Sequence, residues 1–197
     1  MIGCSVQPLS DTEVMKNSTI LVVGASVLAI ALRFAEIPLS NFGCMAALAL
    51  LCGSVIRSPL GVLVPLAVRL VSDVLIYFKT DYGFFASWPF DYAAYLVIFF
   101  LLGRFVQPGS GSRVVGGSIA AASTYFLISN FGVWALTDYY PHTAAGLWQC
   151  YTMGLPFASG TFVGNILLGP ALFLVAHKMS VPAASARLRP AAVAADE

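Results

Sequence analysis

Six long apolar runs follow one another along the chain, separated by short stretches that contain polar residues, glycine or proline. The runs cover residues 19–34, 42–56, 60–78, 89–106, 114–136 and 161–176. Each approaches the roughly 20 residues that a helix needs to cross the hydrocarbon core of a bilayer. The pattern predicts an all-α integral membrane protein with a six-transmembrane-helix bundle over residues 19–176. Residues 1–18 form a predicted cytoplasmic segment and residues 177–197 a predicted disordered tail.

The connection before the sixth run is the longest one, and it covers residues 137–160. It is rich in aromatic residues, and its middle, residues 143–155, is compatible with a short helix at the membrane interface. We therefore predict that this connection between helices 5 and 6 forms a lid over one end of the bundle.

Composition narrows the function classes. Hydrophobic residues make up 59% of the chain and charged residues only 10%, against about 25% charged residues in a soluble domain. This excludes a soluble enzyme, and a net charge of +1 offers no basic patch for nucleic acid. The four cysteines have no CxxC spacing, so we interpret them as small hydrophobic side chains and expect no metal and no cofactor.

The basic residues near the helix ends predict the orientation. With six spans, one side carries seven of them and the other carries two, and cytoplasmic loops are the ones enriched in Lys and Arg. The larger set is Lys16, Arg57, Arg104, Arg113, Lys178, Arg187 and Arg189, and the smaller set is Arg33 and Lys79. Both termini are therefore predicted to lie in the cytoplasm.

Polar side chains within the predicted spans gather in their outer halves, whereas the inner halves are almost wholly apolar. A channel would need polar groups at successive depths, so the pattern favours a binding pocket that is open to the outside. Arg69 and Asp73, for example, are four residues apart and share a helix face. The predicted ligand-binding residues are Arg69, Asp73, Asp91, Tyr95, Asn130, Trp134, His142, Trp148, Gln149 and Asn165.

Each of these residues also has a purely structural interpretation. Arg69 and Asp73 could be an ion pair that locks two helices together. Asn130 and Asn165 could form hydrogen bonds between helices. The three tryptophans could form an interfacial belt, and His142 could be an ordinary loop residue. The sequence leaves these alternatives open.

Several runs of sequence resemble a known family. The runs SNFGVWALTDYYPHTAAGLWQCYTMGLPF, GTFVGNILLGPALF and PLAVRLVSDVLIYF resemble an uncharacterised bacterial membrane family. That family is in turn similar to the substrate-binding S components of ECF (energy-coupling factor) vitamin transporters. The resemblance covers about residues 19–176.

The resemblance implies a location and a set of partners. An S component lies in the bacterial inner membrane, binds a vitamin or metal ion on the outside and associates with a T component and two ATPases. Ala25 and Ala29 match the small-residue face of the first helix that contacts the T component. Because no Walker motif is present, ATP hydrolysis would come from the partners.

These observations favour a non-enzymatic, membrane-embedded subunit that binds a small, vitamin-like metabolite for uptake and works with an ECF-type module. Its partners would be the metabolite, membrane lipid and that module. One alternative is a self-sufficient oligomeric transporter or facilitator. Another is a membrane-embedded enzyme that uses Asp73, Asp91 or His142, although no GxSxG or HExxH spacing exists.

Overall fold

The computed structural model describes residues 10–35, 41–56, 58–80 and 84–179, and over these ranges the all-α prediction is confirmed. Four helical stretches are long and apolar enough to cross a membrane: Asp11–Phe34, Pro59–Thr80, Gly111–Leu136 and Ala144–Lys178. The predicted N-terminal segment is described only from Ser10 onward, and the predicted tail only as far as Met179.

The six helices match the six apolar runs in number and order. They are α1 (Asp11–Phe34), α2 (Met45–Val55), α3 (Leu63–Thr80), α4 (Trp88–Val97), α5 (Gly111–Leu136) and α6 (Ala144–Lys178). A 3-10 turn, Pro59–Val62, leads into α3, while α4 continues through a π-helical turn, Ile98–Leu102, and a 3-10 turn, Gly103–Phe105. With these two turns, the helical stretch that begins at α4 ends at Phe105, within one residue of the predicted limit at residue 106.

Helix α2 is the centre of the molecule. All 11 of its residues are buried, and it contacts α1, α3, α4, α5 and α6, which form a ring around it in the order α1, α3, α4, α5, α6. At 1.5 Å per residue, α2 is about 16 Å long and α5, with 26 residues, about 39 Å. The central helix α2 is thus less than half as long as α5, one of the helices that surround it.

At its C-terminal end, α2 is packed tightly against the extension of α4, the two turns that cover residues 98–105. A Cβ atom added to Gly103 would lie 2.6 Å from the Cα of Gly53, so only glycine allows the two backbones to approach so closely. The Ser54 hydroxyl donates a hydrogen bond of 2.7 Å to the carbonyl of Val106. The C-terminal end of α2 is therefore in direct backbone contact with the extension of α4.

Helix α1 begins before its apolar run. Ser10 and Glu13 form a capping box, in which each side chain accepts a hydrogen bond from the backbone of the other residue. The helix therefore begins at Asp11 rather than at Thr19, because the capping residues and not the start of the apolar run determine its first turn.

The prediction for α6 was wrong at its N-terminus. The helix begins at Ala144, where the Thr143 hydroxyl accepts a hydrogen bond from the Gly146 N–H at 3.1 Å, and it continues through Pro156 and Pro170 to Lys178. A proline removes only one backbone hydrogen bond. A long helix can therefore continue past it. The segment predicted as a lid with a separate short helix is largely the first half of α6.

The small-residue face of α1 lies inside the chain. Ala25 and Ala29 are 2% and 0% exposed and belong to the hydrophobic core, since α1 packs on α2 and α3. Both side chains thus pack inside the chain in this conformation, and their assignment as a partner-binding surface stays a prediction.

Candidate functional site

A cavity of about 920 Å³ lies where α2 ends and the surrounding helices continue. Its floor includes the first two residues of α2, Met45 and Ala46, and residues 41–43 just before the helix. Its walls come from the C-terminal ends of α1 and α5, from α3, from the N-terminal end of α4 and from the first half of α6. Exposed side chains such as Phe85 and Tyr139 are part of the lining, so the cavity reaches the surface.

Arg69 connects the helices beside the cavity. Its Nε donates to Asp73 Oδ2 at 2.7 Å, and its Nη2 donates to Asp91 Oδ2 at 3.3 Å. Its Nη1 lies 3.4 Å from the Tyr95 hydroxyl and 3.3 Å from the Tyr125 hydroxyl. One guanidinium therefore links α3, α4 and α5, and a buried cation that is paired and hydrogen-bonded in this way avoids most of its desolvation cost.

Arg33 at the end of α1 extends this network and was not among the predicted site residues. Its Nη2 lies 2.8 Å from Asp73 Oδ1 in a close ion pair, and Oδ1 makes no further hydrogen bond within the described residues. Arg33 Nη1 is buried and likewise has no hydrogen-bond partner in the described part of the chain. Its signal in the sequence was its position, since it ends the first span on the same side as Arg69.

The two acids differ in their access to the cavity. Asp91 lines it, whereas Asp73, at 1% exposure, lies behind the two arginines and is not part of the lining. Asp73 thus contributes by holding Arg33 and Arg69 in place. The cavity wall itself carries two cationic side chains and one anionic side chain from this network.

Aromatic rings form a large part of the remaining wall. The rings of Tyr95 and Tyr125 stack with centroids 5.3 Å apart, and those of Phe85 and Tyr139 stack at 6.2 Å. All four residues line the cavity. Tyr125 was missed at the sequence level, because a tyrosine within a long apolar run gives no sign of the direction in which it points.

One face of α6 supplies another group of lining residues, in addition to the charged network and the aromatic rings. The spacing of its lining residues follows the period of an α-helix, although Pro156 and several small residues concealed that period in the sequence. These residues are Cys150, Met153, Gly154, Phe157, Ala158, Thr161 and Asn165.

The two asparagines at the cavity have different roles. The Asn165 Oδ1 accepts a hydrogen bond from the Ala47 N–H at 2.7 Å, and its Nδ2 donates to the Thr161 carbonyl at 2.7 Å. Asn165 therefore caps the first turn of α2, which is the structural alternative for this residue. Asn130 donates from Nδ2 to the Phe126 carbonyl at 2.8 Å, while no described hydrogen bond uses its Oδ1.

Five predicted site residues do not line the cavity: Asp73, which lies behind the arginines, and Trp134, His142, Trp148 and Gln149. Trp134 Nε1 donates to the Pro141 carbonyl at 3.0 Å, and His142 Nε2 lies 3.3 Å from the Thr137 carbonyl, so both stabilise the turn between α5 and α6. Trp148 is 72% exposed, and Gln149 is also exposed. The structure thus brings together Arg69, Asp91, Tyr95, Asn130 and Asn165, with Asp73 directly behind them.

The three residues that the sequence offered as acid or base groups are either paired or outside the cavity. Asp73 and Asp91 are both paired with Arg69, and His142 lies outside the cavity lining. Among the described residues, no three His, Cys, Asp or Glu side chains are grouped so that they could hold a metal ion.

Comparisons with curated proteins and with solved structures give no match. A family comparison does give one, and it covers residues 14–186, which include every residue of the cavity and all six helices except the first three residues of α1. The chain therefore belongs to the family of unknown function DUF6580.

Proposed function

We propose that this protein is a membrane-embedded binding subunit for the uptake of a small metabolite. The observation that carries the proposal is the cavity of about 920 Å³ with its combination of charged, amide and aromatic lining residues. Small-molecule sites are concave, largely apolar and equipped with a few converging polar groups, and their volumes run from about 300 to 1,000 Å³. A ligand of vitamin size fits that range.

The proposal includes six membrane crossings with both termini in the cytoplasm of a bacterial cell. Four helical stretches have the length and apolar composition for this on their own. Helix α2, with 11 residues, is too short to span alone, but all its residues are buried by protein, so its ends need not reach the headgroups. The fourth crossing would be α4 with its π-helical and 3-10 extensions, which together cover residues 88–105.

Transport would require a partner. The end of the bundle opposite the cavity is closed by the contact between Gly53 and Gly103, so release of the ligand into the cell needs a movement that this contact resists. We propose that an energising module of the ECF type, with a T component and ATPases, drives that movement. The surface for such a partner would be apolar and lipid-facing, as are the exposed residues Ile20, Val23 and Val27 of α1.

Native mass spectrometry of the gently purified protein tests the binding role. We expect a bound species of a few hundred daltons on the wild-type protein. We expect it to be lost from Ser129→Trp, which places a large ring in the cavity, because Ser129 is part of the lining. Gln149→Trp makes the same chemical change at an exposed site and should keep the bound species. A wild-type spectrum without any bound species, or equal occupancy in all three proteins, would contradict the proposal.

Uptake in proteoliposomes tests the need for a module. The purified chain alone should bind its metabolite without accumulating or equilibrating it across the membrane. Transport by the chain alone would instead favour the self-sufficient facilitator.

A further inference from the structure

We infer that the ligand carries an anionic group, a carboxylate or a phosphate, which Arg33 binds beside the N-terminal end of α2. The inference rests on the proposed function and deepens it, since it names the chemical class of the ligand. It begins from a hydrogen-bond donor that the protein leaves unused.

The unused donor is Arg33 Nη1. It is buried and has no hydrogen-bond partner within the described residues, while the Arg33 side chain as a whole is 19% exposed and lines the cavity. A rotation of the guanidinium toward the cavity would therefore present Nη1 to a ligand. A buried, charged donor without an acceptor is costly. Arg69, in contrast, is occupied through Nε, Nη1 and Nη2 by two carboxylates and two hydroxyls. The hydrogen-bond donor that this network leaves unused is therefore on Arg33.

The second observation is the charge of the wall. Arg33 and Arg69 line the cavity together with Asp91, whereas Asp73, which neutralises part of their charge, is withdrawn behind them at 1% exposure. The surface that a ligand meets is consequently more cationic than the network as a whole. An arginine fork is suited to carboxylate and phosphate oxygens.

The N-terminal end of α2 contributes in the same direction. The first turn of a helix has N–H groups without intrahelical acceptors and a partial positive charge. In α2, Asn165 Oδ1 satisfies the Ala47 N–H, and the Cys44 side chain makes no capping hydrogen bond. Met45 and Ala46 of this turn line the cavity, as does Arg33. An anionic group at this position would meet the helix end and the guanidinium together.

The aromatic part of the cavity wall indicates the chemistry of the rest of the ligand. The stacked pairs Tyr95–Tyr125 and Phe85–Tyr139 offer broad aromatic surfaces, and planar or apolar groups pack well on such rings. The ligand class is therefore a small organic anion with a planar or apolar body.

Two matched pairs of probes test this inference with the purified, full-length protein. The first is 2-naphthoate with its neutral amide, 2-naphthamide, and the second is dioctanoyl phosphatidate with dioctanoylglycerol. Titration calorimetry should show that the wild-type protein binds naphthoate at least about tenfold more tightly than naphthamide, the ratio expected for one charged hydrogen bond. Arg33→Gln should remove this preference, and Arg113→Gln, an exposed arginine on α5, should keep it.

Arg33→Gln leaves Asp73 with one cation fewer, so the double variant Arg33→Gln/Asp73→Asn, which removes both partners, serves if the single variant does not fold. Equal binding of naphthoate and naphthamide would overturn the anion inference and leave the binding function intact. Binding of neither pair up to millimolar concentration would overturn both. A preference seen only in the phosphatidate pair would support an anion site but identify its occupant as a lipid headgroup, which contradicts metabolite binding.

Discussion

At the C-terminal end of α2, the backbones of Gly53 and Gly103 are in contact, whereas at its N-terminal end the surrounding helices enclose about 920 Å³. Both ends are made by the same six helices. The difference arises because the central helix has only 11 residues and lies at one end of a longer ring. The packed end joins α2 closely to the extension of α4, and the open end leaves the space in which we propose that a ligand binds.

The comparison also separates two uses of polar residues. In the packed end, Ser54 is satisfied by the Val106 carbonyl. In the open end, Arg69 donates hydrogen bonds to Asp73 and Asp91, while Arg33 Nη1, Asp73 Oδ1 and Asn130 Oδ1 have no described hydrogen bond. In these examples the polar atoms without a described hydrogen bond lie at the open end, where we propose that a ligand binds.

Removal of the central carboxylate should have the largest effect. Asp73→Asn leaves Arg33 and Arg69 partly buried without their shared anion, and breaking a buried ion pair costs about 3–5 kcal/mol. Denaturant unfolding in micelles measures this loss, with Asp138→Asn on the exposed turn as the matched control. A loss below about 1 kcal/mol would mean that the network does not hold the open end together.

The glycine contact in the packed end comes next. In Gly103→Ala the new methyl group meets the backbone of Gly53, and overpacking of this kind costs about 1–3 kcal/mol. Gly116→Ala is the control, because a Cβ at Gly116 meets nothing within 4 Å. Equal melting temperatures for the two variants would show that the packed end is looser than described.

The two cavity asparagines should respond differently. Asn165→Ala leaves the Ala47 N–H uncapped and should cost about 1–2 kcal/mol of unfolding free energy. Asn130→Ala should cost less stability but weaken ligand binding, because its Oδ1 makes no described hydrogen bond. Denaturant unfolding and ligand occupancy are measured on both variants. A larger stability loss in Asn130→Ala, or a larger occupancy loss in Asn165→Ala, would contradict these assignments.

The smallest effect is expected at the exposed start of α6. Gln149→Ala should change the unfolding free energy by no more than about 0.5 kcal/mol, as is usual for surface positions, and should leave ligand occupancy unchanged. A clear loss of occupancy, measured by native mass spectrometry, would restore Gln149 to the binding site and enlarge the functional region beyond the cavity.

The sequence predicted the open end well in outline and poorly in detail. Charged and amide side chains within apolar runs are conspicuous, so Arg69, Asp91 and Asn130 were found from their positions alone. Trp148 and Gln149 were assigned to a lid because residues 137–160 were interpreted as a connection, whereas α6 already begins at Ala144 and continues through Pro156. The continuous helix turns these two side chains away from the cavity.

The central position of α2 could not be predicted either. An apolar run of 15 residues, 42–56, has the same composition whether it faces lipid or protein on all sides. Its burial depends on the order in which the other helices surround it, which is a property of tertiary packing. The small residues of α1 have the same ambiguity, and there Ala25 and Ala29 face the core.

Cysteine accessibility in intact cells tests the contrast between the two ends most directly. In a background without native cysteines, Ser129→Cys places a thiol in the cavity lining, and Ser54→Cys places the same group in the packed end, where Ser54 is 3% exposed. A membrane-impermeant methanethiosulfonate reagent added from outside should modify Ser129→Cys and leave Ser54→Cys unmodified. Modification of both thiols, or of Ser54→Cys alone, would contradict a bundle that opens to the outside at one end and is closed at the other.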